Sequence, residues 1–237
     1  MIEVILRDLR WRVLLVALAG LVFFLWELSV QHEAVVGTAE MGPEGISAPA
    51  AYLAGLAMII LLAGFVSTDR REGYARLFFA HPTSPLALYG LRWIVSYVIA
   101  VGAAVVLFLA LQLYLWGEFR GGGPALLLPA LVALVYGGLM AFLSGLLRGG
   151  DAVVALLLYL PTLLPPGVIE FAAGIAGTTA KQVILLLLPP QSTALTTVYQ
   201  GLVEGGNIAW GAVAFVLGYA VVWLALGVLL VRLREIP

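Results

Sequence analysis

Apolar residues fall along the chain in six long runs, at Val13–Val30, Ala48–Ser67, Trp93–Gly117, Pro124–Leu147, Ala152–Ile169 and Ile208–Val231. Each is charge-free or nearly so; Glu27 sits near the far end of the first, where a carboxylate reaches the headgroups. A helix needs ~20 such residues to cross the hydrocarbon core of a bilayer, so the pattern predicts six transmembrane helices. Ahead of the first run, Ile2, Ile5, Leu6, Leu9 and Val13 recur at helical spacing, with Glu3, Arg7 and Arg10 opposite. That periodicity predicts an amphipathic helix over residues 1–12 lying in the interface. The first run lacks a small-residue cleavage site and is read as a retained span rather than a signal peptide.

The stretch 170–207 breaks the pattern. Gln182 to Val203 carries no charge, yet it contains Pro189-Pro190 followed by Gln191, Ser192, Thr193, Thr196, Thr197 and Gln200. A proline pair inside a helix is costly. The reading is therefore two short helices, Thr179–Leu188 and Ser192–Val203, dipping into the outer leaflet and returning, which irregular backbone does where protein or a wet cavity surrounds it. Pro161, Pro165 and Pro166 predict a kink or break toward the outer end of the fifth span.

Composition agrees: 63% of the 237 residues are hydrophobic and 11% charged, against about 45–50% and ~25% in soluble domains. The expectation is an all-α integral membrane protein, one transmembrane domain over 1–237 with no soluble domain and no basic region for nucleic acid. With six spans, one side collects Arg7, Arg10, Arg12, Arg70, Arg71, Arg76, Arg92, Arg148, Arg232 and Arg234, the other Arg120 and Lys181. The asymmetry alternates at each crossing and predicts both termini in the cytoplasm, hence a multi-pass protein of the cell (inner) membrane. Cysteine is absent, which excludes disulfides, thiolate nucleophiles and cysteine metal sites.

The longest connection on the arginine-rich side, residues 68–84, joins spans two and three. Asp69 with Glu72 three residues on resembles a capping box; Pro82 stops the helix; Ser84-Pro85 starts the next one. Arg70, Arg71 and Arg76 charge one end of this short helix, Leu77, Phe78 and Phe79 make the other apolar, and Tyr74 lies between. A surface helix that merely anchors topology through its arginines fits these features. So does one that docks an aromatic cluster into a partner's groove.

The run DRREGYARLFFAHPTSPLALYGLRW, 69–93, resembles the cytoplasmic loop of ABC-2-type permeases, the membrane subunits of a class of ATP-binding-cassette exporters. Glu72, Gly73, Leu77, Phe78, Pro82, Ser84 and Arg92 occupy the places of that family's motif. LPPQSTALTTVYQGL, 188–202, is similar to its outer re-entrant segment, and LLYLPTLLPPGVIEF, 157–171, to its haem-exporter branch. The resemblance implies a coupling helix seated in an ATPase groove, formed by Asp69, Arg70, Arg71, Glu72, Gly73, Tyr74, Leu77, Phe78 and Pro82. It also implies a pathway at the dimer axis lined by spans two and five, with Tyr52, Met58, Tyr159 and Thr162 among aliphatics. An apolar lining of that kind suits a hydrophobic or amphipathic cargo.

No phosphate-binding loop is present: Gly121-Gly122-Gly123-Pro124 lacks the lysine and reads as a turn. ATP and Mg would be bound by a separate ATPase, in two copies, against a pair of permease subunits, a homodimer by expectation; no cofactor is expected in this chain. A carrier that is not ATP-driven, or a membrane scaffold, is the alternative. An intramembrane enzyme is a poorer fit. Ser144 has no histidine within reach of its span, the histidines being His32 and His81, and Asp69 and Asp151 stand on different loops. With no native cysteine, Arg148→Cys and Arg232→Cys should react with an impermeant maleimide from one side of sealed vesicles and Arg120→Cys from the other; labelling of all three from one side would overturn the topology.

Overall fold

Glycine, proline and length set where the helices begin and end. The computed structural model describes residues 2–34, 46–72, 85–163, 189–190, 194–205 and 208–235. Among these the regular elements are helical: α1 (Ile2–Ala34), α2 (Ser47–Leu62), α3 (Ser67–Glu72), α4 (Pro85–Trp116), α5 (Leu127–Leu146), α6 (Asp151–Tyr159), α7 (Thr196–Gly205) and α8 (Trp210–Glu235). Pro85 opens α4, and Pro49 and Pro129 sit in the first turns of α2 and α5, where the missing amide has no intrahelical partner to lose. The glycine run does form a turn. Gly117, Gly121 and Gly122 take φ of +70°, +88° and +85°, and the buried Gln112 fastens the connection, accepting from the Arg120 amide at 2.9 Å and donating to the Gly121 carbonyl at 3.0 Å. Pro161 turns α6 into a 3-10 segment at Leu160–Leu163, in keeping with the expected kink.

Five segments are long and apolar enough to cross a membrane: Ile5–Ser29, Ser47–Asp69, Leu86–Trp116, Gly123–Leu146 and Trp210–Leu233. The protein is a helical membrane protein. The described part of the expected fifth span, Asp151–Leu163, is a shorter apolar helix, and residues 164–169 lie outside the described residues. So does the first expected re-entrant helix, 179–188. Of the second, 192–203, residues 194–203 are described: Leu195, just before α7, is buried, as are Val198 and Leu202 within it.

Two expected boundaries differ. No break falls at residue 12: α1 is one helix of 33 residues, roughly 50 Å at 1.5 Å per residue, longer than the ~30 Å hydrocarbon core. Its first turns extend beyond the apolar zone, and Ile5, Leu9 and Val16 of one stripe are all buried in the bundle. The second span breaks before its expected end at Ser67. α2 stops at Leu62 and a turn over 63–66, with Gly64 at φ +67°, redirects the chain into α3.

Contacts fix the relative directions. Gly55 of α2 faces Val132 and Tyr136 of α5 and Met58 faces Gly137, while Val66 lies beside Ser144, so α2 and α5 run parallel. Gly138 faces Ala220 and Gly145 faces Leu230, so α5 and α8 run parallel too. α1 runs against α2, with Gly20 on Leu53 and Arg12 at Leu61. α4 follows α1, through Asp8–Arg92 at 2.9 Å and the edge-on pair Phe24–Tyr114 at 6.0 Å. α6 also opposes α2, with Asp151 at Gly64 and Tyr159 at Tyr52. The start of α1, the ends of α2, α5 and α8 and the starts of α4 and α6 therefore share one end of the bundle, here called the basic end. α2 and α5 form the centre, 72% buried over their spans, with α1 (6%), α8 (22%) and α4 (33%) around them.

Lipid is as apolar as leucine, so helices in a membrane associate through close van der Waals packing at small residues. The α5–α8 seam is of this kind. An ideal Cβ on Gly138 would come 2.5 Å from the Ala220 carbonyl oxygen, and one on Gly227 2.7 Å from the backbone of Ala141. Beside it Phe142 and Trp223 pack with ring centres 4.6 Å apart. Gly138→Ala and Gly227→Ala should each destabilise by about 1–3 kcal/mol through overpacking. Gly211→Ala, in open space on the same helix, should be neutral or stabilising by up to ~1 kcal/mol. Thermal unfolding in detergent measures all three.

Candidate functional site

Breaking a helix inside a packed bundle strands the carbonyls of the helix that ends and the amides of the one that starts. Here the break is the elbow between α2 and α3, and Phe65, Val66 and Ser67 within it are buried. Side chains from three other helices meet its stranded groups.

Arg12 of α1 serves the carbonyls. Its Nη1 donates to Leu61 O at 2.9 Å, to Ile60 O at 3.4 Å and to Ala63 O. A guanidinium suits this work because it carries several donors in a rigid plane on a long apolar stem. Ser144 of α5 serves the amides: its Oγ accepts from Val66 N at 2.7 Å and from Ser67 N at 3.1 Å. Neither α2 nor α3 supplies these partners itself; α3 receives its N-terminal cap from another helix. Asp151, the first residue of α6 and 3% exposed, accepts from Gly64 N at 3.1 Å and from the Ser67 hydroxyl at 3.3 Å. A carboxylate in the first turn of α6 is also favoured by the helix dipole, and Arg12 lies within electrostatic reach of it.

Gly64 makes the elbow possible. Its φ of +67° is left-handed, and an ideal Cβ there would come 2.3 Å from Thr68 Oγ1, so both backbone and space demand glycine. On the far side of α3, Tyr89 of α4 donates from its hydroxyl to Asp69 at 3.3 Å. Arg92, one turn later, pairs with Asp8 and lies over the Phe65 ring at 5.8 Å. Beside Asp151 opens a polar cavity of about 270 Å³ lined by Ala63, Gly64, Ser67, Thr68, Arg148, Gly149, Gly150 and Asp151.

Of the residues proposed for coupling, Asp69, Arg70, Arg71 and Glu72 lie in α3; Gly73, Tyr74, Leu77, Phe78 and Pro82 lie outside the described residues. The residues proposed for a pathway occupy the interior of the single chain. Met58 is buried at Gly137. Tyr159 is buried, edge-on to Tyr136 at 5.4 Å, and donates to the Tyr52 carbonyl at 2.9 Å; Tyr52 is half-buried. Thr162 is buried and donates to the Tyr159 carbonyl. The sequence passed over Arg12, Ser144 and Asp151 as parts of one site. The local signal available was Gly149-Gly150 before Asp151, a helix start, which gives no hint of a partner in α2.

Chemically the cluster binds backbone. Ser144 accepts two amides, and among the described residues no group of three or more His, Cys, Asp or Glu side chains could hold a metal. Ser144→Ala should destabilise by about 2 kcal/mol, the cost of leaving buried amides unpaired. Ser29→Ala, whose exposed hydroxyl bonds within its own helix, should stay within ~0.5 kcal/mol, both read by thermal unfolding. Neither a protein-family model, nor a curated protein, nor a solved structure matches this chain.

Proposed function

We propose that the chain is the membrane subunit of an ATP-binding-cassette transporter of the ABC-2 type, exporting a hydrophobic or amphipathic cargo. In this reading two copies pair in the cytoplasmic membrane, the basic end faces the cytoplasm, and two separate ATPase subunits bind ATP and Mg. The chain itself does no chemistry.

One observation carries the reading. The short charged helix α3 carries the start of the run that resembles a coupling helix, and the elbow at its root is bonded to α1, α5 and α6 at once. An elbow tied that way passes a push on α3 to three membrane segments together. The directions of the helices support six crossings. α6 leaves the basic end, α8 returns to it, and Trp210–Leu233 is long enough to cross; in this reading the chain crosses once between Asp151 and Trp210. The arginines at the basic end support a cytoplasmic orientation.

Purification of the tagged chain from its host in mild detergent should bring down a stoichiometric ATPase carrying a Walker motif. Reproducible recovery of the chain alone would turn the reading toward a carrier or scaffold. In the reconstituted complex, Gly73→Asp or Phe78→Asp should lower transport at least ~10-fold per ATP hydrolysed, a loss of about 1.4 kcal/mol of coupling, with insertion unchanged; normal transport would remove the coupling role.

A further inference from the structure

Two glycine hinges face each other across one carboxylate. The first is Gly64, at φ +67° in the elbow; the second is Gly149-Gly150 between α5 and α6, with Gly150 at φ +78°. A Cβ on Gly149 or Gly150 would meet nothing within 4 Å, so that hinge turns in open space. Asp151 follows immediately and reaches across to the first hinge, bonding Gly64 N and Ser67 Oγ through the same oxygen, Oδ2. The 270 Å³ cavity is lined by both hinges together with Asp151, Ser67 and Thr68. Room to move, two pivots and one short tether coincide.

We infer that Asp151 is a releasable latch between the hinges, and that its release lets the start of α3 and the start of α6 separate into the cavity. The two straps on the elbow then have different duties. Ser144 sits on α5, in the buried centre of the bundle, and holds the elbow to a fixed body. Asp151 sits beyond the second hinge at the start of α6, whose other end is held by Tyr159 on Tyr52, and can swing out with that start. Both of its hydrogen-bond partners are small neutral groups, an amide and a hydroxyl, that water can replace, and Arg12 attracts it through space. The cavity beside them has volume for several waters, at about 30 Å³ each, so both sides of the broken contact can be rewetted. A buried latch with no such space would leave a bare carboxylate. Asp151 is thus a positioning residue, acting through α3. The inference deepens the transporter reading in one respect: latch release becomes the step that changes the angle between α3 and the fifth crossing.

The test exploits the absence of cysteine. Glu72→Cys at the end of α3 and Leu157→Cys on the exposed side of α6 carry spin labels, and electron–electron distances are measured on the chain in lipid nanodiscs. Diluted with excess unlabelled chain, so that a pair holds at most one labelled copy, the parent should give one dominant distance. Asp151→Ala should add a second population shifted by about 5 Å, on the scale of one helical turn. Asp151→Asn, which keeps an acceptor oxygen, should restore the dominant distance. An unchanged distribution in Asp151→Ala overturns the latch, and so does an identical change in Asp151→Asn. If Asp151→Ala aggregates, Ser67→Ala removes one of the two partners and should add a smaller second population, its absence counting against the latch. The measurement needs no ATPase. Two distances in a chain that purifies alone would keep the latch and overturn the transporter reading, while one distance in a chain that brings an ATPase would do the reverse.

Discussion

Backbone satisfaction at a helix break is the constraint on which the rest of the basic end depends. In water a stranded carbonyl or amide finds a solvent partner. In a helical bundle surrounded by lipid each one left bare costs several kcal/mol. A chain that turns from α2 into α3 within packed protein must therefore recruit partners from elsewhere. Arg12, Ser144 and Asp151 are those partners, and their positions dictate much else: α1 continues as helix far enough to bring Arg12 to the end of α2, α5 ends within reach of the elbow, and α6 begins there. The polar cluster is a consequence of the turn, and the turn of Gly64.

The bundle above it obeys a different rule. Its centre is built on small residues, because close approach of backbones is what binds helices in lipid. Gly55 receives the Tyr136 ring, Gly137 receives Met58 and Trp93, and Gly138 and Gly227 let α5 and α8 touch main chain to main chain. Large residues fill the space left over: Phe142 on Trp223, Tyr136 on Tyr159. The exposed leucines and valines of α1, α4 and α8 are ordinary for surfaces that meet acyl chains.

The helices were legible in the sequence because length and apolarity are local properties, and the tight connection at Gly121-Gly122 was legible because glycine runs have few other uses. The end of α2 was not. Gly64-Phe65-Val66 continues an apolar run without a polar residue to mark the turn, and a left-handed φ leaves no trace in hydropathy. Nor was the continuity of α1, since Arg12, counted only among the charges of the arginine-rich side, is a donor to another helix. The site escaped for a general reason: Gly64 and Asp151 are 87 residues apart and Val66 and Ser144 78 apart, and single hydrogen bonds at that range impose no periodicity. Residues 1–12 and the break at 63–66 are corrections of boundary; Asp151 and Ser144 are corrections of meaning, from isolated polar residues to partners of the elbow.

The parallel seam of α5 and α8 has a bearing on how the molecule is made. Sequential helices in a membrane can pair as hairpins while the chain is still being synthesised, and α1 with α2 or α4 with α5 are antiparallel neighbours of that type. α5 and α8 cannot, since they run parallel. Through the synthesis of everything from Gly150 to Trp210, the glycine face of α5 therefore has no α8 to pack against. Docking of α8 is a late, long-range event, and until it happens the nascent protein keeps its most adhesive surface without that partner, and quality-control machinery or another nascent helix has the first opportunity to meet it.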